Sequence, residues 1–307
     1  MNRLELALGC WQFGPSFGFW ENQIRSDSLR VLHAALRENI RHFDTAASYG
    51  NGSSEQLLGH QLKRFSNTIG REQLHIATKI MPKSPPLVRK DLQKSLARLC
   101  TPYLDVLYIH WPSSDLDLIP ILDAMVKLKE EGLIRSLGLS NFPLSLLSRF
   151  SEYPISYLQS PCSLLWTKDM HPLITYCREK AIKLVGYSPL GLGLLNGKHP
   201  NAPCDSRTTL YVFDEGAYPT YKDLYAILEK LSEKYQRPMA QIALKWAMQQ
   251  GFDILLLGAR NKAQLLENLG AQSIVLAEDD SAALDGAAAL LAATIPQDQD
   301  NLFGHRW

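Results

Sequence analysis

Eight times along this chain a short apolar run gives way to a segment of helical spacing. The runs are Leu6–Trp11, His42–Ala46, Leu74–Ile80, Leu104–His110, Ile134–Ser140, Tyr157–Ser160, Ile182–Tyr187 and Asp253–Gly258. They are rich in Val, Ile and Leu, as strands buried on both faces are. Ser26–Asn39 spaces Leu29, Val31, Leu32, Ala35 and Leu36 as a helix behind a Ser26 or Asp27 cap. Further helices are predicted from Ser53 or Ser54 to about Leu62 and over Leu87–Leu99, Leu118–Glu130, Pro143–Phe150, Pro172–Lys180, Lys222–Tyr235, Met239–Gln250, Lys262–Leu269 and Glu278–Ala293. Strands alternating with helices require a parallel sheet covered by helices. Eight such units in 307 residues fit the α/β class as a single (β/α)8 TIM barrel, whose usual length is about 250 residues. An open doubly wound sheet would carry G-x-G-x-x-G after its first strand, and none follows Trp11. No composition shift divides the chain, so residues 1–307 read as one barrel. The irregular segment at 199–220, with Pro200, Pro203, Gly216 and Pro219, reads as a long functional loop such as a lid.

Charge and cysteines narrow the function classes. Lys and Arg total 32 against 31 Asp and Glu, a formal charge of +1 with no long basic run, which argues against nucleic acid as the partner. No apolar stretch approaches the roughly 18 residues of a membrane span. The first residues lack a basic segment followed by an apolar core, so no secretory leader is read. Five scattered cysteines without a CxxC point to a reducing, cytoplasmic setting and to no zinc site.

Barrels of this kind carry their active sites at the C-terminal ends of the strands. Polar residues break the apolar runs at that end: Asp44, Lys79, His110, Ser140 with Asn141, Gln159, and Tyr187 with Ser188. Tyr49 follows Asp44 by five residues. Singly, each has a structural reading as a cap, a rim lysine or a satisfied histidine. Jointly, at one end of consecutive strands, they suggest an acid/base cluster of Asp44, Tyr49, Lys79 and His110. A phenol of ordinary pKa near 10 exchanges its proton poorly at neutral pH. A neighbouring Lys79 ammonium, held by Asp44, is expected to lower it. The cluster would then aim a proton donor at a carbonyl oxygen, with His110 orienting that oxygen.

These residues resemble the aldo-keto reductase superfamily over nearly the whole chain. The matching pieces are Gly9-Cys10-Trp11, Phe43-Asp44-Thr45-Ala46 through Tyr49-Gly50 to Ser54-Glu55 and Leu58-Gly59, Thr78-Lys79, Leu104-Asp105 to His110-Trp111-Pro112, Gly138 to Phe142, Tyr187 to Gly191, and Gly258 to Asn268. The closing segment is most similar to general bacterial reductases and the potassium-channel β-subunit branch. The resemblance implies an NAD(P)H-dependent oxidoreductase that reduces an aldehyde or ketone to an alcohol, with Tyr49 as general acid. It implies that Ser140, Asn141 and Gln159 hold the nicotinamide carboxamide, that Tyr187 stacks on the ring and that Trp11 adjoins the cofactor. Ser188, Leu190 and Gly193 would cradle the diphosphate, flanked by Lys198 and Arg207. Gly258, Arg260, Gln264, Glu267 and Asn268 would receive the adenosine end. Many relatives place Lys and Arg where this chain has Gly258 and Gln264. Arg260 is therefore expected to meet the 2′-phosphate of NADPH, with NADH use open.

Trp11, Phe19, Trp20, Trp111, Phe142 and Trp166 are candidate mouth aromatics, of which Trp20, Trp111 and Phe142 are assigned to a substrate pocket for a small carbonyl compound. Aldehydes, α-ketoaldehydes, sugar aldehydes and pyridoxal are candidates, and alcohol or sugar oxidation is the same chemistry reversed. Only 11 residues follow Pro296, so any C-terminal substrate loop is short. Two rivals differ in kind. Lys79 as a Schiff-base lysine would need a depressed pKa, which Asp44 opposes. An NADPH-binding redox sensor with slow turnover resembles the channel β-subunit branch, against which His110 favours catalysis. Nothing in the sequence speaks to oligomeric state.

Overall fold

Strand-sized apolar runs joined by helices too long for hairpins can pair only in parallel, and the chain does so until the sheet meets itself. The computed structural model describes residues 4–14, 18–81, 84–113, 115–197, 205–213, 217–296 and 303. Its strands are β1 (Glu5–Gly9), β2 (His42–Asp44), β3 (His75–Ile80), β4 (Leu104–Ile109), β5 (Ile134–Ser140), β6 (Ile155–Pro161), β7 (Lys183–Tyr187) and β8 (Ile254–Leu257). They form a closed barrel in sequence order, β8 pairing with β1, so the fold is a (β/α)8 TIM barrel. The helices are α1 (Arg25–Arg37), α2 (Ser53–Arg64), α3 (Pro85–Leu99), α4 (Ile119–Glu130), α5 (Leu144–Leu147), α6 (Met170–Glu179), α7 (Lys222–Tyr235), α8 (Met239–Gln249), α9 (Lys262–Leu269) and α10 (Glu278–Ala292).

Sequence and structure part company at element ends. Leu6–Trp11 was too long: the strand stops at Gly9, and Trp11–Phe13 is a 3-10 turn. Pro143–Phe150 is a single α turn continued by a 3-10 turn. The described part of the 199–220 segment is three 3-10 turns, Ser206–Thr209, Tyr211–Phe213 and Tyr218–Tyr221.

Alternation along each strand divides the apolar residues between two cores. Ala7, Ala77, Val106, Tyr108, Tyr157, Val185, Ile254 and Leu256 fill the barrel interior. The larger cluster lies between barrel and helices. Tyr108 explains Gly138 across the β4–β5 pair, where a Cβ at 138 would stand 2.3 Å from the tyrosine ring. Among the described residues no helix is long and apolar enough to cross a membrane.

At the N-terminal end of the barrel a buried histidine packs against a half-buried one. His42 and His75 face each other with ring centroids 3.9 Å apart, and Tyr157 closes the other side of His75 at 5.7 Å. Burial first, then His42, Lys183, Arg71 and Arg135, depress the His75 pKa to about 2. The unfolded chain therefore binds a proton below about pH 6.5 that the folded chain refuses. The His75 contribution is therefore harmless above that pH and lowers stability on acidification, by about 1.4 kcal/mol at pH 5.5. Urea denaturation at pH 7.5 and 5.5 is expected to show this loss in the wild type and a smaller one in His75→Phe.

Candidate active site

In-register parallel pairing sends the C-terminal ends of all strands to one side. Asp44 closes β2 against Gly9 of β1, Ser140 pairs with Gln159 across β5 and β6, and Tyr187 ends β7. Their side chains border a cavity of about 730 Å³, which His110, Tyr49 and Trp111 also line. That volume is typical of small-molecule sites.

Lys79 lies under the cavity, 1% exposed, ion-paired with Asp44. Its Nζ also donates to the Thr45 carbonyl at 2.9 Å and sits 3.5 Å from the Tyr49 hydroxyl. The second carboxylate oxygen of Asp44 accepts from Gln159 Nε2 at 2.8 Å, across the barrel. Two buried charges thus have their bonding capacity met. The Tyr49 ring stacks on Trp11 at 5.9 Å and meets the His110 ring edge-on at 5.7 Å.

Protonation states depart from the sequence expectation. Burial pushes the Tyr49 phenol well above its usual range, with Asp44 and Cys10 adding to the effect. The expected lowering by Lys79 is overturned because the ammonium arrives paired with Asp44, while burial penalises phenolate outright. Burial, then Lys79, holds His110 well below the usual imidazole range, so its ring is neutral. The Ser48 hydroxyl lies 3.4 Å from His110 Nδ1.

Asn141, in the left-handed region at φ 66°, turns its amide toward the cavity. It donates to the His110 carbonyl at 2.9 Å and to Ser140 Oγ at 3.0 Å, and accepts from the Tyr187 hydroxyl at 2.6 Å. The same reversal puts Phe142 elsewhere. Phe142 is buried against Phe150 and does not line the cavity, which corrects its assignment to a substrate pocket. Trp166 likewise belongs to the helix-side core.

The far wall includes left-handed main chain. Ser188 at φ 52° and Gly193 at φ 104° bring main chain to the cavity edge beside Leu190. A Cβ on Gly193 would make ordinary contacts with Asn196 and Arg207 at 3.8 and 3.9 Å, so it is the left-handed backbone rather than crowding that favours glycine there. Asn261 caps α9 by accepting from Gln264 N at 3.0 Å. Gln264 accepts from Arg260 N at 2.9 Å, Gln23 bonds the Arg260 carbonyl and Nε, and Asn268 donates to the Gly258 carbonyl. Glu267 lines the same wall.

Arg207 lines the cavity from the 205–213 segment, already paired with Asp205 at 2.8 Å and stacked 4.4 Å over the Trp20 ring. Asp205 accepts from Trp20 N at 3.3 Å and Ser206 N donates to the Gly18 carbonyl at 2.9 Å. The segment is therefore a strap tied to the loop after β1. Lys198 lies outside the described residues. Sequence reasoning missed Gln12, Ser48 and Phe303. Phe303 packs on Trp11 and Trp111 at 5.8 Å and lies parallel to Tyr187 at 6.0 Å. Gln12 and Ser48 adjoin Trp11 and Tyr49, a proximity that was readable. Phe303 lies in a tail whose only signal was an aromatic residue.

A nicotinamide dinucleotide fits the chemistry of this cavity. Gln12 Oε1 and Trp20 Nε1 line it as buried polar atoms without a partner, one acceptor and one donor. Polar amides gather at the strand ends, and the left-handed main chain of Ser188 and Gly193 lies beyond them. Among the described residues no group of His, Cys, Asp and Glu could hold a metal ion.

The sequence profile described as the Aldo/keto reductase family matches residues 5–289. A probable aldo-keto reductase 1 from Glycine max is 32% identical, over 90% of this chain and 83% of the relative. An NADH-specific methylglyoxal reductase from Escherichia coli (strain K12) is 29% identical, over 90% of this chain and 92% of its own. Among solved structures, the glycerol dehydrogenase AKR11B4 from Gluconobacter oxydans superposes with a TM-score of 0.81 at 28% identity, over 95% of this chain and 94% of that one.

The buried ion pair makes a prediction independent of any reaction. Lys79→Met strands the Asp44 carboxylate and is expected to cost about 3 kcal/mol in urea denaturation. Adding Asp44→Asn should recover part of that loss.

Proposed function

The chain belongs to the aldo/keto reductase family, and from that premise we propose that it reduces a small aldehyde or ketone with a nicotinamide cofactor, Tyr49 being the proton donor. The observation that carries this reading is the buried line Asp44–Lys79–Tyr49 ending in the cavity beside a neutral His110.

When bound, the nicotinamide supplies hydride to the carbonyl carbon. The protein's part is to receive the charge that appears on the carbonyl oxygen. With the Ser48 hydroxyl donating to Nδ1, His110 keeps its proton on Nε2 and offers it to that oxygen without carrying charge. Tyr49 holds its phenol proton until the oxygen becomes alkoxide-like, then gives it up. Lys79, 3.5 Å behind, stabilises the phenolate only as it forms. Asp44 keeps the ammonium at that spot, and Gln159 keeps Asp44 oriented.

Ser140, Asn141 and Gln159 are assigned to the carboxamide, Tyr187 to the ring face, and Trp11 to its edge. Ser188, Leu190, Gly193 and Arg207 are assigned to the diphosphate. Gly258, Arg260, Gln264, Glu267 and Asn268 are assigned to the adenosine end. Trp20, Trp111 and Phe303 form the aromatic lining against which a small carbonyl compound would lie. NADPH is the proposed cofactor because Arg260 stands on this wall as a candidate phosphate ligand. A cytoplasmic setting suits that cofactor and the free cysteines.

An NADPH-oxidation screen over aldehydes, α-ketoaldehydes, sugar aldehydes and pyridoxal tests the reaction. Turnover is expected with at least one class, and a loss of about a thousandfold in Tyr49→Phe with cofactor binding retained. Full turnover by Tyr49→Phe would remove Tyr49 from the chemistry. Arg260→Ala is expected to cut the NADPH/NADH ratio of kcat/KM by tenfold or more, and an unchanged ratio would exclude Arg260 from cofactor choice.

A further inference from the structure

The first turn of α2 is buried to a degree its polar sequence does not suggest. Ser54 and Glu55 are both fully buried, and nothing in the reaction above uses either. Glu55 accepts from the Thr78 hydroxyl at 2.7 Å and from Arg98 Nε at 2.5 Å. Ser54 donates to the Cys10 carbonyl at 2.7 Å and lies 2.8 Å from Thr45 Oγ1. One helical turn is thus bolted to the ends of β1 and β2, to β3 and to α3.

Adjacent residues of a strand point to opposite faces. Lys79 points into the barrel, where it meets Asp44, whereas Thr78 points to the helix side, where it meets Glu55. Six residues before Glu55 stands Tyr49, and the connection between them cannot hold itself in place. Gly50, Asn51 and Gly52 are all left-handed, at φ 58°, 51° and 91°. Two of the three are glycines, which have no backbone preference to fix the path, so the surroundings set the course of this connection. Those surroundings are close-packed. A Cβ on Gly14 would lie 2.5 Å from the Tyr49 carbonyl oxygen, and one on Gly52 would lie 2.5 Å from Arg98 Nε. Arg98 passes under Gly52 to reach Glu55, so the spot where α2 begins decides where Tyr49 stands.

We propose that the Thr78–Glu55 hydrogen bond is a positioning device for the reaction, setting the distance between the Tyr49 hydroxyl and Lys79 Nζ from behind the strand. Thr78 and Glu55 touch neither substrate nor cofactor. They act by tying the strand that carries Lys79 to the segment that carries Tyr49. The inference rests on the reading of Tyr49 as proton donor, and its test separates the two.

Thr78→Val keeps the side-chain shape, removes the hydroxyl and leaves the Glu55–Arg98 pair intact. It is expected to lower kcat at least tenfold and to change the pH profile of kcat. KM for the carbonyl compound and Kd for NADPH should stay within twofold. Thr78→Ser restores the hydroxyl and should bring kcat back to within threefold of wild type. A second readout needs no turnover. In protein labelled with 13Cζ-tyrosine, the Tyr49 resonance, assigned by its absence in Tyr49→Phe, should move in Thr78→Val and return in Thr78→Ser. Should Thr78→Val fold poorly, Thr78→Ala with the same two readouts takes its place. A lower Tm with kcat, pH profile and the Tyr49 resonance unchanged would make the bond purely structural and overturn the proposal. Full turnover in Tyr49→Phe would instead refute Tyr49 as donor, and the resonance would still decide whether Thr78 positions it.

Discussion

A carboxylate and an ammonium buried against each other in the barrel hold the rest of the site in register. Removing two charges from water costs several kcal/mol per ion, and attraction alone seldom repays it. Here each ion has a further partner: Lys79 also reaches the Thr45 carbonyl, and Asp44 also receives Gln159. An apolar pair of equal volume would serve stability as well or better. In the proposed reaction the pair matters for what it offers the next group along, the Tyr49 hydroxyl 3.5 Å away. Gln159 joins this pair to the amides of Ser140 and Asn141 through the β5–β6 ladder, so the floor of the cavity is one connected set of bonds.

The architecture was legible because parallel strands buried on both faces leave uninterrupted apolar runs. Ile134–Ser140 appears in the structure with the bounds its sequence suggests, and Asp44, Lys79 and His110 stood out as polar breaks in such runs. Three features were hidden for physical reasons. Phe142 follows Asn141, whose left-handed backbone reverses the in–out alternation a reader would extrapolate. The place of Phe303 is set by tertiary contacts with Trp11, Trp111 and Tyr187, which no local pattern announces. The direction of the Tyr49 shift depends on burial, and proximity to a lysine in sequence-derived topology carries no measure of that.

The two sides of the mouth are built on different principles. On the Asp44 side, strands end in side chains whose positions the ladder dictates. On the Ser188–Gly193 side, left-handed residues carry the main chain to the cavity edge, and position is set by loops leaning on one another. The strap residues Asp205 and Arg207 grip Trp20, itself left-handed at φ 60°, and so tie the loop after β7 to the loop after β1. A ligand lying between them would meet a rigid reactive end and a wall held by a few polar bonds. The proposed reaction demands the first, because misplacement of reacting groups by about 1 Å is costly. Exchange of a long ligand is served by the second.

For the proposed reduction, the protonation pattern supplies a physical rationale. With Tyr49 neutral, His110 neutral and Lys79 balanced by Asp44, the reactive floor carries almost no net charge before a ligand arrives. A carbonyl group is also neutral, so entering this floor sets up no unfavourable charge contact. Charge appears only when the oxygen becomes alkoxide-like, and the donors are already aimed there. A phenolate present from the start would repel that oxygen and have no proton to give. In the proposed reduction, the high phenol pKa that burial imposes would therefore be an advantage, with Lys79 contributing most as the proton leaves.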